Sequence, residues 1–153
     1  MIKKYIISEF MNTNTVTIRD SATFREAVDM MVENKTNGLI VVDNLQKVKG
    51  ILSSWDIIQH IVPDYLEEDK HLAAFESGDV FIRRIKEVAN NPVTEFMTSK
   101  VHKIHSEQSL MTAATILSEF HIRQLPVVDH NDVLIGYLNR TDIKKAIAEI
   151  LSE

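Results

Sequence analysis

The sequence predicts an α+β fold in which two copies of one β-α-β-β-α unit are joined by a helical connector. The main observation is an internal repeat: residues 8–61 align without a gap with residues 94–147, 86 positions later. Fifteen of the 54 aligned pairs are identical, where roughly three or four identities are expected at average composition. The identical positions, in first-copy numbering, are Glu9, Phe10, Met11, Ile18, Ala27, Glu33, Leu39, Val41, Val42, Asp43, Gly50, Leu52, Asp56, Ile57 and Ile61. Because a unit of about 50 residues is marginal in size alone, we expect the copies to pack in one inseparable core, with the candidate site between them.

The first copy shows the hydrophobic periodicity of five elements. Apolar and polar residues alternate in a short strand predicted at 15–18. An amphipathic helix is predicted at 23–34, because its apolar residues recur at steps of three and four. The remaining predicted elements are strands at 38–43 and 48–52 and a helix at 54–61, which Pro63 ends.

The second copy repeats this order. Its predicted elements are a strand at 101–104, a helix at 109–120, strands at 125–129 and 133–138, and a helix at 141–151. Between the copies, an acidic stretch at 67–69 precedes a helix predicted at 79–90, with Phe81, Ile85 and Val88 on one face. The predicted organisation is a first repeat at 1–62, a helical connector at 63–92 and a second repeat at 93–153.

The composition excludes several classes of protein. A net charge of −5 argues against nucleic acid as the main partner, because phosphate neutralisation needs a basic surface. The chain has no cysteine, so it forms no disulfide, which favours a reducing compartment. No apolar run reaches the roughly 18 residues of a membrane-spanning helix, and the charged start of the chain does not resemble a signal peptide. We therefore expect a cytoplasmic protein with no membrane partner.

The strongest local pattern lies where the third strand of each copy meets the last helix. The first copy has Gly50, Ser53, Ser54 and Asp56 there, and the second has Gly136, Asn139, Arg140, Thr141 and Asp142. Glycine permits close approach of a backbone, and a helix N-terminus with polar side chains suits a phosphate. A carboxylate one turn into the helix suits a ribose diol. The alternative is helix capping, since Ser53 with Asp56 and Asn139 with Asp142 have the spacing of an N-cap and its N3 acid.

Catalytic and metal-binding patterns are not found. There is no cysteine, no base paired with a nucleophile at an informative spacing, and no glycine-rich phosphate loop, so we do not expect an enzyme. His102 and His105 are three residues apart on a predicted strand and would point to opposite faces. The other four histidines show no ligand spacing, so no metal site and no required cofactor are predicted.

The chain resembles the CBS domain, a module named after cystathionine β-synthase. In the second copy the resemblance rests on Phe96-Met97-Thr98, Ile104, Ile122-Arg-Gln-Leu-Pro-Val-Val-Asp129, Gly136 and Thr141-Asp142-Ile143. In the first copy it rests on Phe10-Met11, Leu39-Ile-Val-Val-Asp43, Gly50-Ile-Leu-Ser53 and Asp56-Ile57. Two such domains in tandem form a Bateman module. The resemblance implies that the repeats pack about a pseudo-twofold axis and leave two clefts, which often bind AMP, ADP, ATP or S-adenosylmethionine.

The resemblance also implies roles for individual residues. Asp142 matches the ribose-binding aspartate and Thr141 the hydroxyl beside it. Arg123 lies where a basic residue often approaches the phosphates, and Val101 and His102 fall on a strand whose backbone tends to face the adenine. The first copy departs from the pattern, because Trp55 replaces the equivalent of Thr141 and Asn37 that of Arg123, although Ser53 and Asp56 remain. The second copy is therefore expected to provide the better site.

These observations predict a regulatory module that binds an adenosyl ligand between the repeats and signals by a change of shape. The partner that responds would be another chain, because no effector domain is recognised. The resemblance also implies a homodimer formed through the terminal helices of each repeat. The alternative is a structural module that dimerises or acts as a scaffold, with degenerate clefts.

Overall fold

The structure is a computed structural model that describes residues 3–76 and 78–153. Met1 and Ile2 of the predicted first repeat and Ser77 of the predicted connector lie outside the described residues. The first repeat contains strand β1 (Thr17–Arg19), helix α1 (Phe24–Asn34), strands β2 (Gly38–Val42) and β3 (Val48–Ser53), and helix α2 (Ser54–Ile61). The predicted order β-α-β-β-α is confirmed for this repeat.

The second repeat has the same order. It contains strand β4 (Ile104–His105), helix α5 (Leu110–Phe120), strands β5 (Gln124–Val128) and β6 (Leu134–Asn139), and helix α6 (Arg140–Leu151). The strand prediction for Val101 and His102 is wrong, because both residues precede β4 in irregular backbone. The physical reason is that both side chains pack outside the sheet: the ring of His102 stacks on Phe120, and Val101 packs against the apolar cluster that joins the two sheets.

Each repeat forms its own three-stranded sheet, in the orders β1-β2-β3 and β4-β5-β6. The first pair of strands in each sheet is parallel and the second pair is antiparallel. The registers correspond across the repeat, since Leu39 faces Leu52 and Leu125 faces Leu138. All four leucines are fully buried, so the identical positions of the repeat are largely positions of the two cores.

The leading segment of each repeat packs on the other repeat. A 3-10 turn at Ile7–Glu9 precedes β1, yet Ile7 is buried in the core of the second repeat with Leu117 and Leu138. The equivalent turn at Val93–Glu95 buries Val93 in the core of the first repeat. The segments 7–12 and 93–98 are therefore exchanged, and neither repeat completes its core without the other.

Two glycines make this exchange possible. Asn12 and Tyr137 bond each other's backbones at 2.8 and 2.9 Å, and Thr98 and Ile51 do so at 2.9 Å in both directions. A Cβ atom at Gly136 would lie 2.7 Å from the carbonyl oxygen of Asn12, and one at Gly50 would lie 2.5 Å from the sulfur of Met97. The close approach predicted at these glycines is therefore made by the exchanged segments of the chain.

A pseudo-twofold axis relates the two repeats. Lys47 bridges to Val133 and Gly38 lies against the side chain of Gln124, and the partners of both pairs are equivalent positions of the repeat. Residues related by a twofold axis meet only at that axis, so these two contacts locate it. Between them, a shared apolar cluster joins the sheets, with Ile40, Val42, Val48 and Val128 as its buried members.

The connector packs on the end of the first repeat. It contains helix α3 (Asp64–Glu68), a 3-10 turn (Lys70–Phe75) and helix α4 (Gly78–Val88). The Arg84 guanidinium donates to the carbonyl oxygens of His60 and Ile61 at 2.9 and 3.2 Å, which satisfies the end of α2. The predicted apolar face of α4 is only partly buried: Val88 is in the interior, whereas Phe81 is 53% exposed.

Candidate functional site

A continuous cleft of about 680 Å³ lies between the two repeats. It is lined by Thr36, Asn37, Gly38, Ile51, Ser53, Trp55, Thr98, Lys100, Val101, His102, His121, Ile122, Arg123, Gln124, Asn139, Arg140 and Thr141. Several of these are equivalent pairs of the repeat, for example Ser53 with Asn139, so the cleft spans the pseudo-twofold axis. The resemblance implied a cleft for each copy, whereas here both copies contribute to one continuous space.

Seven of the ten residues predicted to bind the ligand line this cleft. They are Ser53, Val101, His102, Arg123, Asn139, Arg140 and Thr141. The fold brings them together because the start of β5, the start of α6 and the segment before β4 meet at the axis. Ser54, Asp56 and Asp142 are not among the lining residues, although each is adjacent in sequence to one that is.

The two aspartates are engaged in helix capping. At α2, the Asp56 N–H donates to Ser53 Oγ at 3.3 Å, and the Ser53 N–H donates to Asp56 Oδ2 at 2.8 Å. At α6, the Asp142 N–H donates to Asn139 Oδ1 at 3.0 Å, and the Asn139 N–H donates to Asp142 Oδ2 at 2.8 Å. Both reciprocal pairs are capping boxes, so the structural interpretation of the spacing is confirmed. The ribose-binding role of Asp142 stays a prediction.

Asp142 differs from Asp56 in its surroundings. Asp142 as a residue is only 5% exposed, and its carboxylate accepts a second hydrogen bond, at 2.7 Å, from the side-chain amide of Asn12. In the first repeat the second donor to Asp56 Oδ2 is the hydroxyl of Ser53, at 3.0 Å. The carboxylate of the second repeat therefore connects the two repeats, and that of the first repeat does not.

The charged side chains that line the cleft are cationic. Lys100, Arg123 and Arg140 line it, and none of the described lining residues is a carboxylate. These three cations form no salt bridge with any carboxylate of residues 3–76 and 78–153. A concave surface lined by unneutralised cations concentrates anions. The cleft is therefore locally cationic in a chain of net charge −5.

One acceptor in the cleft lacks a partner. The side-chain oxygen of Gln124 is buried and has no hydrogen-bond partner within the described part of the chain. A buried polar atom without a partner costs about 1–3 kcal/mol, so this oxygen is a local cost to the stability of the fold. Gln124 also lies against Gly38, which places the amide at the pseudo-twofold axis.

Several residues of the cleft carry no sequence signal for binding. Thr98 ends the exchanged segment 93–98 and Lys100 follows it, so both reach the cleft through an exchange that no local pattern predicts. Trp55 was noted only as a departure from the family pattern, yet it lines the cleft and is 61% exposed. His121 ends α5 with a left-handed φ of 52°, which turns the chain toward Arg123.

The histidines that meet in space are not the pair that is close in sequence. Sequence spacing compares His102 with His105, but the ring of His102 stacks on Phe120, with centroids 3.9 Å apart. The structure instead places His105 beside His130, with Glu107 close to both. These three residues are not among those that line the cleft, and in the described part of the chain they form a group of ligand types with its atoms within 4.8 Å of one another.

Comparisons with known proteins agree with this architecture. The family model of the CBS domain matches residues 7–63 and 93–149. The chain is 29% identical over 152 residues to a homoserine O-acetyltransferase of Methanococcus vannielii, covering 94% of this chain but 27% of that protein. It is 26% identical over 157 residues to the chloroplastic CBS domain-containing protein CBSX2 of Arabidopsis thaliana, covering 97% of this chain and 66% of that protein. The chain thus spans between about a quarter and two thirds of the length of these relatives.

Solved structures show the same fold. The crystal structure of CBSX2 in complex with AMP has a TM-score of 0.73 and 26% identity, covering 95% of this chain and 98% of that chain. The CBS domain pair of protein MJ0100, in complex with 5′-methylthioadenosine and S-adenosyl-L-methionine, has a TM-score of 0.68 and 21% identity, covering 94% and 96% of the two chains. Among the helices that the structure describes, none has the length and apolar character needed to cross a membrane.

Proposed function

The chain belongs to the CBS-domain family, and on that premise we propose that it is a regulatory module that binds an adenine nucleotide in the cleft between its two repeats. The observation that carries the proposal is the cleft with three cations and no lining carboxylate among the described residues. Its volume of about 680 Å³ is within the roughly 300–1,000 Å³ usual for small-molecule sites. CBSX2, which binds AMP in its crystal structure, supports the ligand class.

The charge of the cleft favours phosphorylated ligands over S-adenosylmethionine. The sulfonium of S-adenosylmethionine is positive and would be repelled by Lys100, Arg123 and Arg140, whereas each phosphate would be attracted. Arg123 and Thr141 are proposed to contact the phosphates, and Asp142 the ribose. We therefore expect AMP, ADP or ATP to bind more tightly than S-adenosylmethionine.

Signalling would follow from the position of the cleft. A ligand that contacts both repeats across the pseudo-twofold axis binds most tightly to one relative arrangement of them, and so shifts the population toward it. The responding partner is proposed to be a separate protein. Helices α2 and α6, the last helices of the two repeats, begin at N-cap residues that line the cleft. A shift of the repeats on ligand binding is proposed to move these helices.

A homodimer is proposed through the helices of the two repeats. Large apolar side chains are left exposed on these helices: Val32 on α1, Ile58 on α2, Met111 and Phe120 on α5, and Ile147, Ile150 and Leu151 on α6. Association of two such faces would remove this apolar area from water. A cytoplasmic location, expected from the composition, stays a prediction.

The competing function is a structural dimerisation module with a degenerate cleft. Trp55 and Asn37, which stand where the second repeat has Thr141 and Arg123, favour it for the first-repeat side of the cleft. Neither function is catalytic. The homoserine O-acetyltransferase activity of a relative is not assigned to this chain, because only 27% of that protein is matched.

Calorimetric titration with AMP, ADP, ATP, S-adenosylmethionine and GMP tests the proposal. We expect saturable binding of the adenine nucleotides, and a loss of at least about tenfold in affinity for Arg123→Ala, since a charge-assisted hydrogen bond is worth about 1.5–3 kcal/mol. The matched control is Arg25→Ala, an exposed arginine of α1 that does not line the cleft. Failure of every nucleotide to bind the folded protein would favour the structural module.

A further inference from the structure

We propose that His105, Glu107 and His130 form a binding site for a divalent transition-metal ion of the zinc type. One ring nitrogen from each histidine and one carboxylate oxygen lie within 4.8 Å of one another. None of the three residues lines the nucleotide cleft, so this site is independent of the proposed function.

The sheet of the second repeat brings the two histidines together. Strand β4 runs parallel to β5 and pairs His105 with Val128, so His130, two residues beyond Val128, emerges at the same end of the sheet. The two imidazole rings lie with centroids 5.8 Å apart and planes inclined by 18°. Glu107 follows β4 in the next turn, and its Oε1 is 3.5 Å from Nε2 of His130.

Both turns that carry the ligands are held by hydrogen bonds. In the turn after β5, the Asp129 carboxylate accepts from the N–H groups of Asn131 and Val133 at 2.8 and 3.0 Å. In the turn after β4, the side-chain oxygen of Gln108 accepts from the His105 N–H at 2.8 Å. The carbonyl of Gln108 accepts from the N–H of Ile7 at 2.9 Å, so the exchanged N-terminal segment also fixes this turn. A backbone fixed in this way lowers the cost of assembling a site.

The ligand atoms, two imidazole nitrogens and one carboxylate oxygen, suit a metal ion of intermediate softness such as Zn²⁺. Two imidazoles and one carboxylate are ligands of zinc at about 2.0–2.2 Å, with a fourth position left for water. Ligand atoms on one tetrahedral zinc lie about 3.3 Å apart, so the most distant pair must close by roughly 1–2 Å. The exposure of the side chains of His130, 86%, and Glu107, 58%, leaves both free to rotate by that amount.

The surroundings of the cluster suit a cation. Nδ1 of His105 is buried and, within residues 3–76 and 78–153, has no hydrogen-bond partner, so no protein group competes for that nitrogen. The nearby ammonium of Lys103 is paired with Asp132 at 2.9 Å, which offsets its charge.

The first repeat provides an internal comparison. At the positions equivalent to His105, Glu107 and His130 it carries Arg19, Ser21 and Asn44. An arginine, a serine and an asparagine do not form a zinc site. The cluster is therefore a feature of the second repeat in this chain, and the fold alone does not require it.

Metal titration of the full chain tests the site. After treatment with a chelator, the protein is titrated with Zn²⁺ by calorimetry and with Co²⁺ by visible absorption, which reports nitrogen coordination. We expect one ion per chain and a loss of at least about tenfold in affinity for His130→Ala and for Glu107→Gln, since even residues that only support metal ligands contribute about 10- to 100-fold. Both side chains are exposed, so both variants should fold.

The control is His71→Ala, which removes an exposed histidine of the connector and should leave the Zn²⁺ affinity unchanged. Equal Zn²⁺ stoichiometry and affinity in His130→Ala and the unsubstituted protein would overturn the site, as would the absence of saturable binding. The AMP affinity of His130→Ala should remain unchanged, so that failure of the metal site is distinguishable from failure of the nucleotide site.

Discussion

The side-chain amide of Asn12 donates a 2.7 Å hydrogen bond to Oδ2 of Asp142, 130 residues later in the chain. Asn12 belongs to the exchanged segment of the first repeat, and Asp142 is the N3 residue of the helix that ends the second. The same carboxylate oxygen accepts from the backbone N–H of Asn139. One buried oxygen therefore holds both the start of α6 and the segment that crosses to it.

Removal of this amide should destabilise the protein. In Asn12→Ala a buried carboxylate loses a donor, so we expect the free energy of unfolding to fall by about 1–3 kcal/mol. The equivalent position of the first repeat is Thr98, whose side chain is exposed, and Thr98→Ala is the matched control with a change near zero. Urea denaturation followed by circular dichroism measures both. Equal stability of the two variants would show that the Asn12–Asp142 bond contributes nothing.

Separation of the repeats should prevent either from folding. A fragment 1–92 lacks Val93, which is fully buried in the first core, and a fragment 93–153 lacks Ile7, which is fully buried in the second. We expect neither fragment to show a cooperative thermal transition alone, and the mixture of the two to regain one. The idea of a shared core fails if each fragment unfolds cooperatively as a monomer.

The limits of sequence prediction are visible at these same residues. The strands and helices follow local periodicity, and the repeat identifies Leu39, Leu52, Leu125 and Leu138 as core positions because equivalent environments keep equivalent side chains. The exchange of segments has no local pattern, since the residues in contact are distant in sequence, 47 positions apart for Ile51 and Thr98 and 125 for Asn12 and Tyr137. The glycine pattern predicts a close approach at Gly136 but does not identify its partner, which is the backbone of Asn12.

The grouping of the histidines could not be predicted for the same reason. Sequence spacing compares residues that are close along the chain, such as His102 and His105. The pair that meets in space, His105 and His130, is joined by the parallel pairing of β4 with β5. A parallel pair requires a crossover, here through α5, so its partners are always distant in sequence.

His60 should make stability depend on pH. Its ring stacks on Phe96 at 4.4 Å and its Nε2 lies 2.9 Å from the side-chain nitrogen of Asn91. Burial lowers the pKa of His60 below its ordinary 6.5, an effect that Glu95 partly opposes and Arg84 adds to. Because the unfolded chain then binds a proton more readily, this contribution to stability is complete above about pH 6.5 and is lost as the pH falls through the lowered pKa.

The measurement for His60 is the melting temperature between pH 5 and pH 8. His60→Gln keeps a side chain able to bond Asn91 but has no titrating ring, so its melting temperature should fall less on acidification than that of the unsubstituted protein. Since carboxylates titrate in both proteins, the difference between the two curves isolates His60. Parallel curves would contradict the assignment.

Asp142 provides the sharpest test of the proposed nucleotide site, because capping and ribose binding predict different results. Asp142→Ala removes the capping box of α6 and the acceptor of Asn12, so a loss of stability of at least about 0.5–2 kcal/mol is expected in either case. If the carboxylate also accepts from the ribose, AMP affinity falls about 10- to 150-fold, the equivalent of a charge-assisted hydrogen bond of about 1.5–3 kcal/mol.

A 2′-deoxynucleotide separates the loss of ribose binding from the loss of helix capping. It already lacks one hydroxyl donor, so Asp142→Ala should weaken it much less than AMP, whereas a general distortion of the cleft would weaken both equally. Asp56→Ala is the matched control: it removes the equivalent capping box of α2 in the repeat where Trp55 and Asn37 make the site poorer, and it should alter AMP affinity less. Calorimetric titration of the two folded variants with AMP and 2′-deoxy-AMP decides the matter. Unchanged AMP affinity in Asp142→Ala would restrict this aspartate to holding the helix and the exchanged segment, and the nucleotide would then have to be recognised through the three cations and Thr141.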